Sequence, residues 1–283
     1  MSKDLTILAS GDIFIGLPDD HPKIPNVVPM RKARTDLYSW LEHIAPILQQ
    51  GDFTLGNLEG PICEGGEVDI SKSGTGGAVF KMPPVVANVL KRAGIDALSL
   101  ANNHTMDLGA NGLLDTIKHL DAAGVAWAGG GKDIEAARRP ALLEKGGVRV
   151  AFLAYTSTFI PGTSPAGPGK PGMATVAVNT AYEVPGNIRY APGAPPRIVT
   201  TADKRDAEAM REDVRKAKEN ADIVVVSWHG GLTRYANAFS MGVSLEEAPF
   251  FVHQYQEDMG CAAIDAGAAL VMGHHRHRLQ DIK

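Results

Sequence analysis

Five short segments of the 283-residue chain carry side chains competent to bind metal: Gly11-Asp12, Gly56-Asn57-Leu58-Glu59, Asn102-Asn103-His104-Thr105-Met106-Asp107, Trp228-His229-Gly230-Gly231 and Gly273-His274-His275-Arg276-His277. Imidazole, carboxylate and amide oxygen together suit zinc, manganese or iron, and the absence of cysteine from these segments argues against a structural zinc site. Carboxylates able to bridge suit two ions about 3.5–4 Å apart, which orient a water, lower its pKa and polarise a substrate oxygen. The reaction class expected from such donors is metal-assisted hydrolysis.

Singly, the segments say less. Asp12 serves equally well as a turn or helix-capping residue, Glu59 beside Gly60-Pro61 as a solvated turn residue, and Asn102-Asn103 as a turn pair. A lone His229 reads as a buried, satisfied histidine. The cluster His274, His275 and His277, in a chain with only nine histidines, tips the balance toward a site. His21, His43, His119 and His253 show no partner pattern, and Met106, Trp127 and Trp228 read as packing residues.

What must position these groups is an alternation of strand-length apolar runs with helix-period segments. Strands are expected at Leu5 to Ala9, Asp52 to Leu55, Ile95 to Leu100, Val125 to Ala128, Arg149 to Tyr155, Ile223 to Ser227 and Ala268 to Met272. Helices are expected at Asp36 to Gln50, Pro84 to Ala93, Asn111 to Ala123, Ala202 to Asn220 and Leu245 to Ala266. Each chemical segment then follows a strand, and in open α/β sheets ligands bind beyond the carboxyl ends of strands. Between Pro161 and Pro196 fourteen of thirty-six residues are glycine or proline, which marks a functional loop, a lid or a disordered insert. A single α/β domain over residues 1–283 is the expected organisation.

Composition narrows the function classes. Twenty-eight Lys and Arg against thirty-two Asp and Glu give a formal charge of -4 without long charge blocks, which argues against nucleic acid or an anionic membrane as partner. Cys63 and Cys261 lack zinc-ribbon or disulfide-scaffold spacing and read as buried thiols in a reducing compartment. No apolar run approaches the 18 residues of a membrane span, so a cytoplasmic protein without a membrane anchor is expected.

At these motifs the chain resembles the bacterial capsule-synthesis protein family (CapA, the poly-γ-glutamate synthesis type), a branch of the calcineurin-like metallophosphoesterase superfamily. The resemblance runs through Gly11-Asp12, Gly56 to Pro61, Leu100 to Gly131, Val224 to Gly230 and Val271 to Gln280. It implies a metallophosphoesterase-like sandwich of two mixed β-sheets flanked by helices, with one or two divalent ions (Mn, Zn or Fe) at one edge. It further implies metal ligation by Asp12, Glu59 as the bridging carboxylate, Asn103, His229, His275 and His277. His104 would be the general acid or transition-state stabiliser, and Asp12 would share the catalytic role. Asn57, Asn102, Asp107, His274 and Arg276 would support these groups from behind. Phe14 stands where the superfamily has its first histidine ligand, so one metal position keeps only Asp12, Glu59 and one of the final histidines.

The family commonly carries an anchor before the first strand and continues with further strands beyond the last histidines. The expectation here is a soluble hydrolase whose C-terminal strands are either missing or replaced in closing the second sheet. Water activated at the metal would attack a phosphoester or an amide of the γ-glutamyl kind in a small-molecule or polymer-derived anionic substrate. Arg276, Arg278, Arg234 and Lys81 are candidates to neutralise it, though each type is more often a surface cation, and the 161–196 segment would cover the pocket. The alternative is a non-catalytic polymer- or carbohydrate-binding component of capsule or poly-γ-glutamate biosynthesis.

Overall fold

The computed structural model describes residues 5–16, 36–65, 67–69, 78–183, 196–233, 244, 252–280 and 282. In chain order the strands are β1 (Ile7–Ile13), β2 (Phe53–Leu58), β3 (Ala97–Ser99), β4 (Ala126–Ala128), β5 (Gly130–Gly131), β6 (Ala141–Lys145), β7 (Val148–Thr156), β8 (Gly172–Met173), β9 (Val178–Glu183), β10 (Arg197–Ala202), β11 (Ile223–His229) and β12 (Leu270–His274). The helices are α1 (Ala45–Leu48), α2 (Val85–Ala93), α3 (Gly109–Ala123), α4 (Ile134–Arg138), α5 (Lys204–Asn220) and α6 (Gln254–Asp265).

Two four-stranded sheets form the centre. The first runs β1-β2-β3-β4 and is parallel throughout; the second runs β12-β11-β7-β6 and is mixed, because β6 returns antiparallel to β7. Both faces of a sheet in such a sandwich are covered, so its strands can be apolar continuously. In β11, Val225 joins Phe53, Leu55, Phe152 and Met272 between the sheets, while Val224 and Val226 face Met210, Val214 and Met259 of α5 and α6. On the far side of the first sheet, α2 and α3 lay Leu90, Leu113 and Leu120 against Leu98 and Leu100. The layers are thus helix, sheet, sheet, helix. Beside the first sheet, after β4, the chain uses Gly129, at φ +90°, whose Cβ would stand 2.7 Å from Ala101 Cβ and 2.8 Å from Ala154 Cβ of the second sheet's β7.

Several elements differ from the sequence expectation for local reasons. The helix expected over Asp36 to Gln50 is broken into a 3₁₀ turn at Leu37–Trp40 and the single turn of α1. Pro46 sits in that turn, and a proline deeper in a helix removes a hydrogen bond and clashes with the preceding turn. The strands that lead to the chemical segments run further than their apolar stretches, so that Asp12, Asn57, His229 and His274 lie within β1, β2, β11 and β12 rather than after them. Part of the 161–196 segment is regular: β8 pairs with β5, and β9 pairs with β10. Cys63 is buried as expected, whereas Cys261 is exposed on α6. His21, Arg234 and the first part of the helix expected from Leu245 lie outside the described residues. Among the described residues no helix is long and apolar enough to cross a membrane.

Candidate metal centre

The first sheet's strand ends are tied together by a line of side-chain amides. Between the pairs Ala9–Leu55 and Asp12–Asn57, two residues of β1, Ser10 and Gly11, oppose one of β2, Gly56, so β1 carries an extra residue as a bulge. Such a bulge re-aims the side chains that follow it, and here it brings Asp12 opposite Asn57, whose Nδ2 donates to Asp12 Oδ1 at 2.8 Å. Asn102 Nδ2 donates to Asn57 Oδ1 at 3.1 Å and to the Leu58 carbonyl at 2.7 Å, while Asn102 Oδ1 accepts from the His104 backbone N–H at 3.1 Å. Asn57 and Asn102 are fully buried, and their satisfied amides hold the ends of β1, β2 and β3 in register.

His104 is clamped twice. Its Nδ1 lies 2.8 Å from Oδ2 of the fully buried Asp107, which also accepts the Phe80 backbone N–H at 2.7 Å. The Phe80 ring stacks on the imidazole at 3.8 Å with an 8° tilt, and Phe14 stacks on the other side of Phe80 at 4.4 Å. Phe14, in the place of an expected histidine, therefore packs against the support of His104.

The second sheet supplies the histidines. His229 ends β11 fully buried, with Nε2 2.7 Å from Asn103 Oδ1 and Nδ1 3.7 Å from Asp12 Oδ1. Its carbonyl accepts from Thr156 Oγ1 and the Ser157 N–H, both at the end of β7. Opposite His229, at the end of β12, His274 lies with Nδ1 3.6 Å from Asp12 Oδ1, and neither ring nitrogen makes a hydrogen bond. The following turn is strained: His275 has φ +86° and His277 φ +53°, conformations that cost on the order of 1–3 kcal/mol at a non-glycine residue. That turn lets the His275 N–H reach Asp12 Oδ2 at 3.1 Å and sets His277 Nε2 3.9 Å from both Asp12 Oδ2 and Glu59 Oε1.

Two donor triads result, Glu59–His229–His275 and Asp12–Glu59–His277, each with one ligand atom per residue within 4.8 Å of the others. Glu59 belongs to both. Burial above all, reinforced by the neighbouring imidazoles, holds the His229 pKa well below the usual histidine value, and burial, with help from His277, lowers His275 to about 4. Burial also lowers His274, against a smaller opposing pull from Asp12. Neutral imidazole is the form that binds metal, and His275 Nδ1 is buried without a hydrogen-bond partner. The donor chemistry therefore fits divalent ions held by Asp12, Glu59, Asn103, His229, His275 and His277.

The remaining predicted groups divide. Arg276 is buried rather than at the surface, and its Nη1 donates to Gln256 Oε1 of α6 at 3.0 Å. Arg278 is exposed and Lys81 half-buried. His43 lies at the surface, His119 faces Asp115 on α3, and His253 caps α6. Sequence reasoning missed Phe80, since nothing in its spacing announces a ring over His104. It also missed Tyr255 and Gln256, although Gln256 three residues after His253 has the pattern of a helix-capping box.

A helix–sheet–sheet–helix sandwich with a carboxylate–imidazole cluster at its strand ends is a metallophosphoesterase-like fold. Within that class the chain belongs to the family described as bacterial capsule synthesis protein PGA_cap, whose model matches residues 6–283. It is similar to the capsule biosynthesis protein CapA of Bacillus anthracis, with 29% identity over 99% of this chain and 56% of that protein. It is also similar to the PGA biosynthesis protein CapA of Bacillus subtilis, 26% identical over 96% of this chain and 57% of that protein. A probable polyglutamine synthesis accessory protein of Mycobacterium tuberculosis is 28% identical over 99% of this chain and 70% of its own length. The chain thus spans little more than half the length of the two CapA relatives.

Proposed function

We propose that this chain is a metal-dependent hydrolase serving capsule or poly-glutamate synthesis, acting on an anionic substrate and cleaving a phosphoester or an amide of the γ-glutamyl kind. The observation that carries this reading is the position of Glu59 between two donor triads. A bridging carboxylate suits a pair of manganese, zinc or iron ions, which when bound supply a Lewis acid and a water of lowered pKa. Asp12 and Glu59 bring the negative charge, and the imidazoles of His229, His275 and His277 complete the donor set. With Asp107 ionised, Nδ1 of His104 carries a proton directed at that carboxylate. Nε2 is then the nitrogen that exchanges a proton with the leaving group or steadies charge developing on the substrate.

The test combines metal analysis of the purified protein with hydrolysis of an aryl phosphate and a γ-glutamyl anilide under added manganese. Bound metal and turnover on one of the two substrates are expected. His275→Ala should lose metal, whereas His104→Ala should keep metal and lose turnover. If both variants retained all metal and all activity, the assignment of the site would be wrong. Phe14 is the observation on the side of a non-catalytic polymer-binding component, since it offers a ring where a ligand was expected. Absence of both metal uptake and turnover would favour that reading.

A further inference from the structure

Arg276 stands between His275 and His277 in sequence, yet its guanidinium is engaged with α6. Only 5% of the residue is exposed, and among the described residues its one hydrogen bond is Nη1 to Gln256 Oε1. Nε–H is buried without a partner, and no described carboxylate forms an ion pair with it. A guanidinium cannot shed its proton in a protein, and a buried charge without a counter-charge is strongly disfavoured. The first turn of α6 makes matters worse, because a helix N-terminus is itself positive.

A second buried donor lies close by. Trp228, also 5% exposed, has its Nε1–H buried without a partner. Both side chains border the consecutive glycines Gly230 and Gly231. A Cβ on Gly230 would stand 2.8 Å from Trp228 Nε1, and one on Gly231 would press on Arg276 Cδ and stand 2.6 Å from Gln256 Nε2. The Gly231 N–H is satisfied by the Tyr255 hydroxyl at 2.7 Å. Donors outnumber acceptors in this polar cluster, and the surplus carries one full positive charge.

We propose that Arg276, Trp228 and the start of α6 form a carboxylate-binding subsite on the α6 side of the second sheet's strand ends, so that the substrate presents a free carboxylate there. The subsite rests on the hydrolase reading only for the word substrate. A carboxylate brings one negative charge to one guanidinium and two oxygens in the plane that an arginine edge prefers. A phosphate dianion would bring two charges to a subsite with one described cation.

The test is calorimetric titration of metal-free protein with glutaric acid monoanilide, with its primary amide, which lacks only the charge, and with inorganic phosphate. The acid is expected to bind at least about tenfold more tightly than the amide. Arg276→Gln and Trp228→Phe should each erode that preference while metal uptake and circular dichroism stay those of the parent protein. Should Arg276→Gln fail to fold, Trp228→Phe carries the comparison alone. Equal binding of acid and amide, no binding of either, a preference that survives both substitutions, or Arg276-dependent binding of phosphate instead would each overturn the proposal. Failure of the hydrolase reading shows separately, as a parent protein that prefers the acid but takes up no metal or turns nothing over.

Discussion

Replacing Glu59 with glutamine keeps the shape of the side chain and removes its charge from both donor triads at once. Disturbing even a group that only orients a metal ligand typically weakens binding 10–100-fold, so loss of a shared carboxylate should cost about a hundredfold at each position. At a free metal concentration about a hundredfold above Kd, binding stabilises the parent protein by about 2.7 kcal/mol, and a hundredfold weaker site leaves about 0.4 kcal/mol. A chain of 283 residues has an unfolding entropy of roughly 0.6 kcal/mol/K, so the lost 2.3 kcal/mol or so per ion corresponds to about 4 °C in Tm for each ion the parent protein holds. The metal-free variant should melt no lower than the metal-free parent, because oxygens of the Asp12 and Glu59 carboxylates lie within 4.8 Å of each other and neutralising one relieves their mutual repulsion. The assay is differential scanning fluorimetry with and without manganese, alongside metal content by elemental analysis. His277→Ala should leave the Glu59–His229–His275 triad loaded, whereas Glu59→Gln should bring both positions to about half occupancy at that metal concentration. An undiminished metal-dependent Tm increment and unchanged metal content in Glu59→Gln would refute the shared-carboxylate reasoning.

Asp107→Asn should leave metal content unchanged and lower kcat by about 10²–10⁴-fold, the usual contribution of a positioned acid or base, because the amide no longer fixes the charge and tautomer of His104. Steady-state kinetics beside metal analysis checks this. In metal-free protein the lowered pKa of His275 makes the unfolded state the better proton binder between the ordinary value of 6.5 and about 4. Stability is therefore full above pH 6.5 and falls as the pH drops through that window, by roughly 3 kcal/mol from this residue. Urea unfolding at pH 7 and pH 4.5 should show a smaller loss for His275→Gln than for the parent protein.

The positions of the central strands and of most helices were accessible from periodicity where one residue pattern had one physical solution. Val224 to Val226 can be apolar without a break only if both faces of the strand are covered, and helices α2 and α3 end at Gly94 and Gly124 because left-handed caps require it. The gathering of polar strand ends was legible for the same reason, since parallel strands discharge their C-termini at one edge. The bulge at Ser10-Gly11 was not legible: register depends on the partner strand, and no local signal says that β1 carries one residue too many. Nor does a sequence reveal that Phe80 covers His104, because the contact joins segments with no common period. The depth of Arg276 was hidden by its type, as arginine is far more often at the surface.

The centre draws Asp12, Glu59 and Asn103 from one sheet and His229, His275 and His277 from the other, and the hydrogen bond from the His275 N–H to Asp12 spans 263 positions of chain. Neither sheet owns a complete triad, so on the proposed reading the affinity for metal would measure how firmly the two sheets are docked. An ion seated there acts as a clasp on the open end of the sandwich, and slower amide exchange along β1 and β12 on metal addition would be its kinetic signature. Any motion that parts the sheets at that edge would release an ion held there, which would couple occupancy of the site to the breathing of the architecture.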